Sequence, residues 1–239
     1  VILILGGTAE ARALAGGLWD RQLRCVTSLA GRVANPRLPV GEVRVGGFGG
    51  TSGLAAWLAE HQVRAVIDAT HPFAERISAH AVAACEQTGT PLLRLERPGW
   101  RPRPGWTWAE SLAAASALVP AGARVFLTTG RQGLEAFSEV ADAWFLIRCV
   151  DPPAPPLPTH HTLMLDRGPY TLEGEGVLMD IHAIDLLITK DSGGPLTAAK
   201  LDAAEARGVA VIVVRRPDHP DAPSVGTVEA ALAWAVSAG

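Results

Sequence analysis

The chain has 239 residues, 48% of them hydrophobic, with 24 acidic against 21 basic side chains and a formal net charge of −3. That length and apolar content suit one large or two small domains with proper cores, and the charge supplies no general attraction to nucleic acid or to an anionic membrane. No apolar run approaches the roughly 18 residues needed to cross a bilayer, and the opening apolar run lacks the length and basic flank of a leader, so a cytoplasmic protein is expected. Cys25, Cys85 and Cys149 are widely spaced and form no C-x-x-C pair, which indicates neither a disulfide framework nor a zinc site.

Residues 1–5 are all apolar and end at Gly6-Gly7-Thr8, after which residues 9–18 carry a helix-forming pattern. A buried strand, a glycine turn and a helix N-terminus make an anion site: ligand can approach a backbone without Cβ, and the unpaired N–H groups of the first turn favour phosphate. The Thr8 hydroxyl is expected to add a donor. Strands follow at residues 23–28 and 42–46, with a proline-containing loop between them. An amphipathic helix is expected over 54–61, with Thr51 or Ser52 as its cap. Residues 64–68 predict a fourth strand ending in Ala69-Thr70-His71-Pro72, residues 73–88 a helix with one apolar face, and residues 91–95 a fifth strand. Alternation of this kind is the signature of a doubly wound parallel sheet.

Residues 97–106 then hold three prolines, two tryptophans and three arginines, which excludes a helix or a central strand and marks the crossover between domains spanning 1–97 and 98–239. The second half repeats the alternation. Helices are expected at 111–118, after a loop within 130–138, and at 170–179, 196–207 and 228–236. Strands are expected at 124–127, 144–148, 160–165, 185–189 and 209–214. The fold class is therefore α/β, with two Rossmann-like or flavodoxin-like doubly wound domains facing a cleft.

In open parallel sheets ligands bind beyond the carboxyl ends of the strands. Those positions hold Gly6, Gly7, Thr8, Ala9 and Glu10; Ser28, Gly31 and Arg32; Thr70 and His71; Thr129, Gly130 and Arg131; and Lys190, Asp191, Ser192 and Gly193. The first two groups, with Thr70, Thr129, Gly130 and Arg131, are expected to bind a nucleotide cofactor. Ser28 stands where an NAD-binding domain carries an acid for the ribose 2′-hydroxyl, and Arg32 follows it, which favours NADP. A proton could come from His71, from Asp191 with Lys190 beside it, or from water. His160 and His161 are neighbours in a strand and point to opposite faces, so no metal site is expected.

The motifs Leu5-Gly-Gly-Thr-Ala-Glu-Ala-Arg12, Asp68-Ala-Thr-His-Pro-Phe-Ala74, Thr128-Thr-Gly-Arg131 and Thr189-Lys-Asp-Ser-Gly-Gly194, in this order and spacing, resemble the precorrin-6A reductase family of cobalamin biosynthesis. The resemblance implies NADPH-dependent reduction of one double bond of precorrin-6A to give precorrin-6B, in a protein of two Rossmann-like domains. It also implies a tetrapyrrole substrate, an association with neighbouring pathway enzymes, and no nucleic-acid or membrane partner. A polycarboxylate macrocycle calls for Arg forks and backbone donors. Arg76, Lys190, Ser192 and Gly193, with Arg32, Arg97, Arg101 and Arg131, are the candidates. A cofactor sensor without turnover, or another tetrapyrrole-modifying enzyme, is the alternative.

Overall fold

The computed structural model describes residues 1–31, 37–194 and 197–238. The chain begins β1 (Ile2–Leu5), α1 (Ala9–Asp20), β2 (Cys25–Leu29), β3 (Glu42–Val45), α2 (Gly50–Glu60), β4 (Ala65–Asp68), α3 (Glu75–Thr88) and β5 (Leu92–Leu95). It continues β6 (Trp106–Ala109), α4 (Leu112–Ala117), β7 (Arg124–Leu127), a 3₁₀ turn at Leu134–Phe137, β8 (Trp144–Cys149), β9 (His161–Leu165), α5 (Leu172–Ile181), β10 (Leu186–Lys190), α6 (Ala199–Arg207) and β11 (Ala210–Val214). It closes with β12 (Ser224–Val225) and α7 (Val228–Ser237).

Two compact units result, the first formed by residues 1–98 with 217–239 and the second by residues 99–216. The first unit's sheet runs β3-β2-β1-β4-β5-β12, and every pairing in it is parallel. The second unit's sheet runs β9-β8-β7-β10-β11-β6, again wholly parallel. Both are the doubly wound order, with β1 and β7 sitting centrally in their sheets and the chain reversing direction beside them. They differ in where the sixth strand comes from. In the first unit it returns from the far end of the chain, and in the second it precedes the other five.

This corrects the expected second domain of 98–239. The last stretch belongs to the first unit, because β5 leaves an open sheet edge that β12 pairs and α1 leaves an apolar face that α7 covers. Ala231, Leu232 and Ala235 share a buried cluster with Ala11, Leu14, Ala15 and Leu18. Gly17 lets the two helices meet, since a Cβ there would stand 2.6 Å from Leu232 Cδ1. The strand period separates the two layers: Ile2 and Ile4 face α1 and α7, while Leu3 and Leu5 face Leu54 and Leu58 of α2 and Ala81 and Ala84 of α3.

Other expectations also shift. The segment from Gly130 yields only the short 3₁₀ turn instead of a helix, with Gly130 and Gly133 at φ +79° and +83°, in the left-handed region. Gly49, at φ +85°, caps α2, so neither Thr51 nor Ser52 does. Trp106–Ala109 forms β6 on the sheet edge, where the prolines before it are tolerated.

Candidate functional site

In the first unit the winding reverses between β1 and β4. The helix after β1 packs on one face of the sheet and the helix after β4 on the other, so a crevice opens where their carboxyl ends lie side by side. Gly6 and Gly7 open this crevice for different reasons. A Cβ on Gly6 would stand 2.7 Å from Thr27 Cγ2, so the turn can pass β2 only without a side chain. Gly7 has φ +116° and nothing within 4 Å of a Cβ position, which leaves its backbone bare toward open space. Beyond it the first-turn amides of α1 at Ala9 and Glu10 have no partner within the helix by its geometry. A pyrophosphate group fits this arrangement of bare backbone and outward N–H groups.

Thr8 plays a different part from the one expected. Its hydroxyl donates to the Ala69 carbonyl at 2.7 Å and accepts from Ala11 N–H at 3.0 Å, capping α1 and tying β1's end to β4's. The hydroxyl proton is spent on Ala69, so Thr8 offers a ligand its position in the turn and not an O–H. Glu10 pairs with Arg97 at 2.7 Å, which engages that arginine within the first unit. Ser28 is buried at the end of β2, no acid stands there, and Gly31 follows at φ +70°. Arg32, the expected 2′-phosphate partner, lies outside the described residues.

The end of β4 is organised by Asp68, a carboxylate only 3% exposed. Its Oδ1 accepts from Thr70 N–H at 3.1 Å and from the Thr70 hydroxyl at 2.6 Å, and its Oδ2 accepts from the Ser78 hydroxyl at 2.5 Å. Thr70 is thus committed to shaping the turn that presents His71. His71 Nδ1 accepts from Phe73 N–H at 3.3 Å, which places the ring proton on Nε2. A cavity of about 10 Å³, near the lower limit for one water, is lined by His71 with Arg94, Glu96 and His219, three residues the sequence reading missed. His219 Nε2 donates to the Pro72 carbonyl at 2.7 Å. Arg94 carried a signal, a lone charge inside an apolar strand; His219 carried none, because it arrives from the far end of the chain.

The second unit has the same reversal between β7 and β10. Thr129 is 5% exposed, and its hydroxyl has no partner among the described residues. Gly130 has open space at its Cβ position. With only a 3₁₀ turn after β7, this crossover lacks the helix N-terminus that α1 supplies in the first unit. Arg131 and Lys190 are half-buried at their strand ends, while Ser192 and Gly193 are buried. Ser192 donates its N–H to the Lys190 carbonyl at 2.7 Å. Arg76 and Arg101 are exposed.

Asp191 is an anchor. Its Oδ1 accepts from Trp100 N–H at 2.9 Å, its Oδ2 lies 3.5 Å from Arg216 Nε, and the same Nε donates to its carbonyl at 3.0 Å. A Cβ on Gly99 would stand 2.5 Å from Oδ2, so glycine is what lets the chain pass the carboxylate. Its oxygens accept, which argues against the expected proton donor. The unit also buries an unforeseen charge cluster: Arg148 forks onto Glu175 at 2.5 and 2.8 Å and stacks on Tyr170 at 3.7 Å. Beside it burial, with Arg148 adding repulsion against the opposing pull of Glu175, pushes Lys200 down to about 7.

The family described as "Precorrin-6x reductase CbiJ/CobK" matches residues 1–236. The chain belongs to the precorrin-6x reductase family. A precorrin-6A reductase of Rhodococcus erythropolis is 54% identical over 238 residues, covering 98% of this chain and 96% of that protein. One from Mycobacterium tuberculosis is 50% identical over 236 residues, covering 98% and 96%. The solved structure titled "CobK precorrin-6A reductase" superposes with a TM-score of 0.94 at 43% identity, covering 100% of this chain and 96% of that one. Membership in the precorrin-6x reductase family makes the chain an oxidoreductase of cobalamin biosynthesis acting on a carbon–carbon double bond. Among the described residues, no helix is long and apolar enough to cross a membrane.

Proposed function

We propose that the chain reduces one macrocycle double bond of precorrin-6A to give precorrin-6B, with NADPH bound on the first unit. The observation that carries this is the Gly6-Gly7 turn: at a strand-to-helix crossover beside the reversal point, the Gly7 backbone faces open space next to a helix N-terminus, which suits a nucleotide pyrophosphate. Ser28 in place of an acid at the end of β2 supports the phosphorylated cofactor. When bound, NADPH supplies the hydride, and the chain's own groups bind, orient and move a proton.

Gly6, Gly7, Ala9 and Glu10 hold the pyrophosphate through backbone, and Ser28 and Gly31 line the ribose. Thr129, Gly130 and Arg131 are reassigned from the cofactor to the carboxylates of the tetrapyrrole, with Lys190, Ser192 and Gly193, because no helix N-terminus stands after β7 to receive a pyrophosphate. Arg76 and Arg101, being exposed, add long-range attraction for a polyanion. His71, on a turn fixed by Asp68, donates the proton that completes the reduction as its imidazolium, a form that gives up the Nδ1 contact with Phe73 N–H.

The cobalt-free macrocycle is the better fit of two related substrates. Relatives named precorrin-6A reductase are 44–54% identical to this chain, whereas those named cobalt-precorrin-6A reductase are 28–29% identical. Incubation with NADPH carrying deuterium at both C4 positions of the nicotinamide tests the reading. One deuterium on the macrocycle is expected, and a reduced product without label would refute direct hydride transfer from the cofactor.

A further inference from the structure

We propose that Arg44, held against Phe48 beside the glycine loop of residues 46–50, binds the 2′-phosphate at the adenosine end of the cofactor. The inference rests on the NADPH reading and gives its specificity a residue. Arg44 lies on the same rung as Ser28 in the parallel β2–β3 pair, so both side chains leave the same face of the sheet. Its guanidinium then runs past the carboxyl end of β3, where Nη1 donates to the Gly46 carbonyl at 2.5 Å and Nη2 to the Gly47 carbonyl at 2.8 Å. One of its flat faces rests on the Phe48 ring, 3.8 Å from the centroid.

Phe48 is itself fixed. Trp57 meets it edge-on at 5.5 Å, and a Cβ on Gly53 would collide with its carbonyl, so the loop is pinned to the first turns of α2. The cation is therefore oriented before any ligand arrives, which spares the ordering cost of a free arginine. Of its five N–H groups two are used on described carbonyls, leaving the others for an anion. Gly46, Gly47, Gly49 and Gly50 all have nothing within 4 Å of their Cβ positions, so the loop presents bare backbone on the side where a ribose phosphate would lie. The acid that would repel a 2′-phosphate is missing from the end of β2, where Ser28 stands.

Calorimetry with adenosine 2′,5′-bisphosphate and with 5′-AMP tests this without turnover. Wild type is expected to bind the bisphosphate about tenfold or more tightly than 5′-AMP, the scale of a charge-assisted contact. Arg44→Ala should erase that preference while leaving 5′-AMP binding within about twofold, and Arg44→Lys should keep part of it. If Arg44→Ala keeps the full preference, Arg44 is not the phosphate ligand and the NADPH reading stands. If 5′-AMP binding falls as far as bisphosphate binding, Arg44 only shapes the loop and the proposal fails. No preference in wild type overturns both readings.

Discussion

The hydroxyl of Thr8 and the carbonyl of Ala69 are 2.7 Å apart, and this bond joins the ends of β1 and β4 where the first sheet reverses its winding. The same oxygen caps α1 through Ala11 N–H. Thr8→Val should therefore act on stability: losing a cap and leaving a carbonyl without its donor costs about 1–3 kcal/mol. Urea unfolding checks the figure. Thr8→Ser should restore most of it and bind NADPH as wild type does; weaker NADPH binding by Thr8→Ser at full stability would return the hydroxyl to a ligand role.

Gly6 and Gly7 should separate in their effects. Gly6→Ala forces a methyl against Thr27 Cγ2, 2.7 Å away, and should lower the melting temperature. Gly7→Ala meets no atom but must adopt φ +116°, a strain of roughly 1–2 kcal/mol, and its methyl would stand in the open space proposed for the pyrophosphate. Its NADPH dissociation constant should rise at least tenfold, beyond what its stability change explains. Unchanged affinity in Gly7→Ala would make the turn architectural.

Asp191→Asn separates an anchor from an acid. An amide can still accept from Trp100 N–H but loses the charge facing Arg216, so lower thermal stability and a kcat within about tenfold of wild type are expected. Removal of a general acid lowers kcat by about 10²–10⁴-fold. A loss in that range with unchanged stability would restore Asp191 to the chemistry.

Lys200 makes stability depend on pH. Its ammonium titrates at about 7 in the folded chain against 10.5 when exposed, so between those values the unfolded chain binds more protons. This contribution makes stability rise with pH above about 7. Cys85, which burial pushes up to about 12 from 9.0, opposes it only from about pH 9. Lys200→Met should raise stability at neutral pH and flatten the rise between pH 7 and 9. Denaturation at pH 7 and pH 9 measures both, and an unaltered slope in the variant would show that Lys200 is not the source.

Both sheets were legible because buried parallel strands are short apolar runs bounded by glycine or small polar residues, as at Ile2–Leu5 and Ala210–Val214. The two-residue β12 has no period to detect, and only the open edge of β5 calls it back, so the domain boundary was hidden. The glycine turn between β1 and α1 was readable, and so was the absence of an acid at Ser28. What the polar groups beside them do was not: Thr8, Thr70 and Asp191 are spent on Ala69, Asp68 and Trp100, partners that depend on how strand ends and crossovers meet. Thr8 carried a warning, since a threonine just before a helix is first of all a cap. Arg148 and Glu175 are 27 positions apart, and nothing local announces that pair.

The most direct measurement is anaerobic turnover of purified precorrin-6A with NADPH, following cofactor oxidation by absorbance and the macrocycle by mass spectrometry. The account predicts NADPH oxidation that requires precorrin-6A, in equimolar amount to a product carrying one added hydride and one added proton, with His71→Ala lowering kcat by about 10²-fold or more while its NADPH dissociation constant stays near wild type. A chain that binds NADPH yet leaves precorrin-6A unreduced would contradict it.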